Sequence, residues 1–120
     1  MAKIILVEDD PFLVDIYSTK LKEAGLEVMN ITSGVEIVAK LKEEKPQLVI
    51  LDIVLPKVDG WEILKTIKTD KETKDIKVII LSNLGQEEEI EKGLKLGAEK
   101  YLVKSQYKPS DVAEEVKKLL

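Results

Sequence analysis

Residues 48–52 read Leu48-Val49-Ile50-Leu51-Asp52, an apolar run without alternation that ends in a carboxylate. The run is too short for a helix. Unbroken apolar character is what a strand covered on both faces requires. The same form recurs at Ile4-Ile5-Leu6-Val7, Val78-Ile79-Ile80-Leu81 and Tyr101-Leu102-Val103. A fifth segment, Glu27 to Ile31, mixes polar and apolar residues and reads as an edge strand. Helical patterns lie between the runs. Phe12, Leu13, Ile16 and Leu21 precede Gly25; Val35, Val38 and Leu41 end before Pro46; Ile63, Leu64 and Ile67 follow Gly60. Ile90, Leu94 and Leu96 lead to Gly97, and Val112, Val116, Leu119 and Leu120 close the chain, with the glycines as stop signals.

Strand and helix thus alternate through the chain with no linker or repeat, which predicts one α/β domain over residues 1–120. Right-handed crossovers then give a five-stranded parallel sheet with helices on both faces. Ligands of such sheets bind outside the carboxyl ends of the strands. There the runs end in Glu8-Asp9-Asp10, Asp52, Ser82-Asn83 and Lys104. Taken singly, Asp52 could be a turn residue, Ser82 a turn hydroxyl and Lys104 a solvated surface lysine. Asp10-Pro11 has the form of a helix N-cap followed by Pro at the first helical position. Trp61 is expected to pack at the start of the third helix. Acid, acid, hydroxyl and ammonium gathered on one rim are harder to credit to turn chemistry.

Two carboxylates about 5 Å apart repel by ~3 kcal/mol at an effective dielectric near 20, so Glu8, Asp9 and Asp52 together call for a cation. All-oxygen ligands favour Mg²⁺, with Mn²⁺ as the alternative. Composition excludes other chemistries. There is no Cys and no His, so thiolate and imidazole sites are ruled out, and a phosphoryl relay through histidine needs a partner's imidazole. The net charge is −4 and all 19 basic residues are lysine, which argues against direct nucleic-acid binding and removes bidentate guanidinium clamps. The apolar run at Ile4–Val7 is too short for a signal peptide or a membrane span, so a cytoplasmic location is expected.

The segment Ile4 to Asp10 resembles the acidic-pair motif of receiver domains of two-component response regulators. Leu48 to Pro56, continuing through Val58-Asp59-Gly60, resembles their phospho-acceptor motif. Val78 to Ser82 resembles the segment ending in the switch hydroxyl. Gly97 to Lys104 resembles the segment carrying the switch aromatic and the lysine. The match spans nearly the whole chain in order and spacing, and is similar to the single-domain, chemotaxis-regulator type.

The resemblance implies a flavodoxin-like doubly wound (βα)5 fold with strand order 2-1-3-4-5. It also implies roles. Asp52 would accept a phosphoryl group from a phosphohistidine on a sensor histidine kinase or histidine phosphotransfer protein. Asp9 and Asp52, the Val54 carbonyl and Glu8 (directly or through water) would hold Mg²⁺. Lys104 would offset phosphoryl charge, Ser82 would bond the acyl phosphate, and Tyr101 would follow it from an exposed to a buried rotamer. The face of the fourth helix, fifth strand and fifth helix, with Ile90, Leu94 and Tyr101, would bind a downstream protein or a second copy. The chain would be a switch that transfers and slowly hydrolyses its own phosphoryl group, not an enzyme in the ordinary sense.

Three positions depart from the family pattern. Ser105 stands where proline usually follows a cis bond, so a trans peptide after Lys104 is expected. Asn83 replaces Ala or Gly and should tune phosphate lifetime. Lys108-Pro109 puts Lys where a Ser or Thr cap is usual. Competing readings fit less well. An aspartyl-nucleophile phosphatase would want an acid two residues after Asp52, where Val54 stands. A flavin carrier would want a Gly- and hydroxyl-rich phosphate loop after the first strand, where three acids stand. A scaffold that never takes phosphate would not need the intact acids and Lys104. No output module lies within these residues, which suits either a stand-alone regulator or part of a longer one.

Overall fold

The computed structural model describes all 120 residues. Its main sheet is built from β1 (Lys3–Val7), β2 (Glu27–Ile31), β3 (Leu48–Leu51), β6 (Lys77–Ser82) and β7 (Lys100–Val103). All neighbours are parallel, in the order β2-β1-β3-β6-β7, which is 2-1-3-4-5 when only these five strands are counted. The helices are α1 (Pro11–Glu23), α2 (Ile37–Glu44), α3 (Gly60–Thr69), α4 (Glu87–Lys95) and α5 (Pro109–Leu119).

The unbroken apolar runs hide a period of two. Ile5, Val7, Val49, Leu51, Val78 and Ile80 face one layer, where Ile37 and Leu41 of α2 and Leu64 and Ile67 of α3 cover them. Ile4, Leu6, Leu48, Ile50, Ile79 and Leu81 face the other, against Tyr17 and Leu21 of α1 and Val112, Ala113 and Val116 of α5. Each fully buried aliphatic side chain is worth roughly 1.5–3 kcal/mol. The four buried residues of β3 therefore contribute an amount comparable to the whole net stability of a domain. Whatever hangs from the end of β3 is held by the firmest part of the molecule.

Some sequence expectations need correction. Phe12 was expected on the buried face of α1 but is 71% exposed in the first turn of that helix. Tyr17 and Leu21 are the buried residues of that helix. Val35 is also exposed, since it lies in a 3₁₀ turn (Gly34–Glu36) before α2, whose buried residues are Ile37 and Leu41. Leu94 is 45% exposed, and α4 buries only Gly93. The expected stop at Gly25 and Gly97 is met, both with left-handed φ. Asp10 caps α1, accepting from Phe12 N at 2.9 Å, and Asp111 Oδ2 accepts from Lys108 N at the start of α5.

An antiparallel hairpin, β4 (Val54–Leu55) with β5 (Val58–Asp59), follows β3 directly and was not foreseen. Its two-residue turn pairs Pro56 with Lys57 at φ 67, the proline and positive-φ positions of a type II turn. The loop is pinned from outside by Gly60. A Cβ there would meet the Ile53 carbonyl oxygen at 2.2 Å and Ile53 Cα at 2.6 Å, both backbone atoms unable to swing aside. Gly60→Ala should therefore destabilise the fold by about 1–3 kcal/mol or more in urea unfolding. It should also shift the Asp52 amide resonance, since Ile53 adjoins it. Wild-type stability in the variant would show that the loop is not pinned there.

Candidate functional site

Register alone brings the site together. Val7 pairs with Leu51, so Glu8 and Asp52 each stand one residue past a matched pair. Ser82 pairs with Val103, which puts Lys104 one residue further at the same rim. The ladder extends into the site: Asp52 N donates to Val7 O at 3.4 Å and Glu8 N to Ile31 O at 3.3 Å. Asn30 of β2, which sequence reasoning did not single out, donates from its amide to Leu6 O (3.0 Å) and Glu8 O (3.4 Å). It fixes the chain at the acidic pair. A lone Asn in an edge strand carries no signal of that contact.

Lys104 Nζ donates to Glu8 Oε1 and to Asp52 Oδ2, at 2.7 Å in each case. All three side chains are nearly shielded from water, with exposures of 10% for Lys104, 3% for Glu8 and 7% for Asp52. Burial pulls the Lys104 ammonium down, but the hydrogen bonds it donates to Asp52 and Glu8 outweigh it and hold its pKa above the ordinary lysine value. The second oxygen of Glu8 accepts from the Asp9 and Asp10 amides, both at 3.1 Å. Asp52 Oδ1 accepts from Val54 N at 2.9 Å. Asp9 is exposed. Together these groups line an open cleft of about 280 Å³, with Leu13, Val54 and Asn83 on its walls.

This donor set suits a hard cation in one particular way. No three acidic side chains converge to enclose a metal by themselves. Glu8 is committed on both oxygens, so it is better placed to act through water than as a direct ligand. Asp9, Asp52 and a backbone carbonyl remain. One or two carboxylates with waters and phosphate oxygens is the usual Mg²⁺ arrangement. One ammonium against three carboxylates also leaves the cleft net negative.

Ser82 and Tyr101 occupy a second tier. Ser82 is fully buried and its hydroxyl oxygen accepts from Leu84 N at 3.3 Å. Tyr101 OH donates to Leu84 O at 2.6 Å. The backbone of Leu84 thus bridges the two, a link the sequence could not display because it involves no side chain of Leu84. Burial pushes the Tyr101 phenol up to about 12, Glu89 and Asp52 add to the rise, and the Ser82 hydroxyl opposes it. The ring is partly covered and lies beside Gly93. The Lys104–Ser105 peptide is trans and leads into a 3₁₀ turn, Lys104–Gln106. Trp61 packs against the α2/α3 layer, and its ring holds the Lys92 ammonium 4.5 Å from its centroid. No helix is long and apolar enough to cross a membrane.

The family model of the response regulator receiver domain matches residues 4–117. The chain is a response regulator receiver domain. It is 37% identical over 114 residues to the DNA-binding dual master transcriptional regulator RpaA of Synechocystis, covering 95% of this chain and 46% of that protein. It is 35% identical over 120 residues to the alkaline phosphatase synthesis transcriptional regulatory protein PhoP of Bacillus subtilis, covering 98% and 48%. The receiver thus spans about half the length of the curated relatives it matches. Among solved structures it resembles the BeF3-activated DrrB receiver domain, with TM-score 0.86, 31% identity and coverage of 99% and 97%. It also resembles chemotaxis response regulator CheY4 of Vibrio cholerae, with TM-score 0.89, 27% identity and coverage of 100% and 99%. Receiver domains are signalling switches and generally Mg²⁺-dependent.

Removing one partner of a buried charge pair costs about 3–5 kcal/mol, because it strands the other charge. Lys104→Met should lose stability in that range by urea unfolding at neutral pH. A loss under ~1 kcal/mol, the size of an exposed surface pair, would show that Lys104 does not hold the acidic rim together.

Proposed function

We propose that Asp52 accepts a phosphoryl group from a phosphohistidine on a sensor histidine kinase or histidine phosphotransfer protein. The observation that carries this reading is the Lys104 ammonium bound to Asp52 beside an open acidic cleft. Asp52 is anchored at both oxygens, yet each carboxylate oxygen keeps a second lone pair. The nucleophile is therefore fixed in place without being used up. In the transfer, the phosphorus–nitrogen bond of the donor breaks as the phosphorus–oxygen bond to Asp52 forms, giving a mixed anhydride. Such transfers depend on positioning and charge neutralisation. Lys104 moves its hydrogen bond from the carboxylate to a phosphoryl oxygen. Asp9, Asp52 and the Val54 carbonyl would hold Mg²⁺, or Mn²⁺, with Glu8 acting through water. When bound, the metal offsets negative charge on the phosphoryl oxygens. The exposed Val54 side chain takes no part.

The output is a protein contact. Ser82 turns its hydroxyl from Leu84 toward the acyl phosphate, and Leu84 carries the change to Tyr101. The face of α4, β7 and α5 then binds a downstream protein or a second copy through Ile90, Leu94 and Tyr101. With no arginine and a net charge of −4, contact with DNA would belong to a partner or to a further module. Slow hydrolysis by the receiver itself resets the switch.

A small-molecule phosphodonor with Mg²⁺ should add one phosphoryl mass increment, labile in alkali, and chelation by EDTA should suppress it. Asp52→Asn should show none by intact mass. Modification of the variant to the wild-type extent would move the acceptor elsewhere.

Asn83 lines the cleft beside Asp52, in the family's Ala or Gly position. Its amide obstructs the water that must approach phosphorus in line, and it lacks the basicity to activate that water. Asn83→Ala should shorten the half-life of the phosphorylated protein several-fold, about tenfold for each ~1.4 kcal/mol of barrier. A longer half-life in the variant would mean that Asn83 positions the water instead.

A further inference from the structure

Helix α4 contributes no buried side chain to the protein; the one residue it buries is Gly93. Glycine is the poorest helix former after proline, so a glycine inside a nine-residue helix needs a reason. Backbone conformation does not supply one, because the glycines with positive φ are Gly25 and Gly97. Space does. A Cβ at position 93 would lie 2.6 Å from Ile80 Cδ1, 2.8 Å from Tyr101 Cδ2 and 3.2 Å from Tyr101 Cε2. Ile80 is fully buried in the central sheet and has little room to give. The Tyr101 ring is only partly covered and has solvent to move into.

The ring's position is transmitted further. Its hydroxyl bonds Leu84 O, and Leu84 N bonds Ser82 Oγ. Helix α4 also has a second, lateral tether, with the Lys92 ammonium stacked over Trp61 of α3. Gly93, Tyr101, Leu84 and Ser82 therefore form one continuous series of contacts from the helix to the rim. A change at any member is felt by the next.

We propose that Gly93 is the positioning residue of the switch: by leaving a seat for the Tyr101 ring under α4, it permits the ring-in arrangement of the α4–β7 surface, which a side chain at position 93 would oppose. The output role of this surface rests on the proposed function; the seat itself does not, and its test is made on the unphosphorylated protein.

In the wild type, nuclear Overhauser contacts should join the Tyr101 ring to the Ile80 methyl and to Gly93 without any phosphodonor. Gly93→Ala should lose them, and the Tyr101 phenol, pushed up to about 12 in the wild type, should titrate at least one unit lower. Melting temperatures of Gly93→Ala, Tyr101→Ala and the double variant complete a cycle. Alanine at 93 should raise the melting temperature in the Tyr101→Ala background, where the ring is gone, and lower it or leave it unchanged in the wild type. Retained ring contacts in Gly93→Ala, or equal shifts in both backgrounds, would overturn the proposal. If Gly93→Ala alone does not fold, recovery of folding by Tyr101→Ala supports the seat, and failure of both variants overturns it. Repeating the measurements in Asp52→Asn separates this result from phosphorylation, because the seat predicts the same contacts there.

Discussion

The Lys104 ammonium, held between Glu8 and Asp52 at 2.7 Å from each, is the interaction on which the remainder of the site depends. Two carboxylates so nearly buried cannot share a rim without a cation, and the lysine is the one the chain supplies itself. It reaches them only because the register sets Glu8 level with Asp52 and carries β6 and β7 two residues further along the same edge. Parallel register therefore does electrostatic work. A slip of one residue in any of these strands would carry a charged group into an apolar layer and leave its partner stranded. The compensation is also incomplete. One ammonium does not balance Glu8, Asp9 and Asp52, and that residual charge makes the cleft receptive to a divalent cation.

Firm and yielding parts of the fold divide the functions between them. Asp52 leaves a strand buried along its whole length, and Asp10, Val54 N and Gly60 constrain the loops around the acidic rim. The phosphoryl transfer proposed for Asp52, which depends on positioning, would hang from that part. Helix α4 is the opposite case: it rests on a glycine, a half-covered tyrosine and a cation–π contact. An element with so little buried apolar surface can shift at small cost. Under the proposed function, a reaction confined to the rim would alter the α4 surface without disturbing the core.

Much of this was visible in the residues. The four unbroken apolar runs could belong only to a sheet covered on both faces, and the polar groups after each run named the rim. The cap at Asp10 and the edge character of β2 were equally legible, because both follow from local chemistry. Phe12, Val35 and Leu94 were misread for one shared reason. Apolar periodicity marks a candidate face, but whether a neighbour covers it depends on where the helix begins and what lies beneath. The hairpin after Asp52 carried no strong turn signal, since its positive-φ position is occupied by a lysine.

The sequence by itself determined the number and order of the elements, the parallel sheet and the set of charged and hydroxyl groups at its carboxyl edge. These follow from hydrophobic pattern and residue type, which are local properties. Only the tertiary structure decided how those groups are paired. It committed both oxygens of Glu8, turned Ser82 and Tyr101 toward the two sides of one backbone unit at Leu84, and placed Asn30 behind the acidic pair. It also gave Gly93 a meaning beyond weak helix propensity, because the room it leaves is filled by a ring eight residues later in the chain. Such features depend on distances between groups far apart in sequence, and close packing alone fixes those distances.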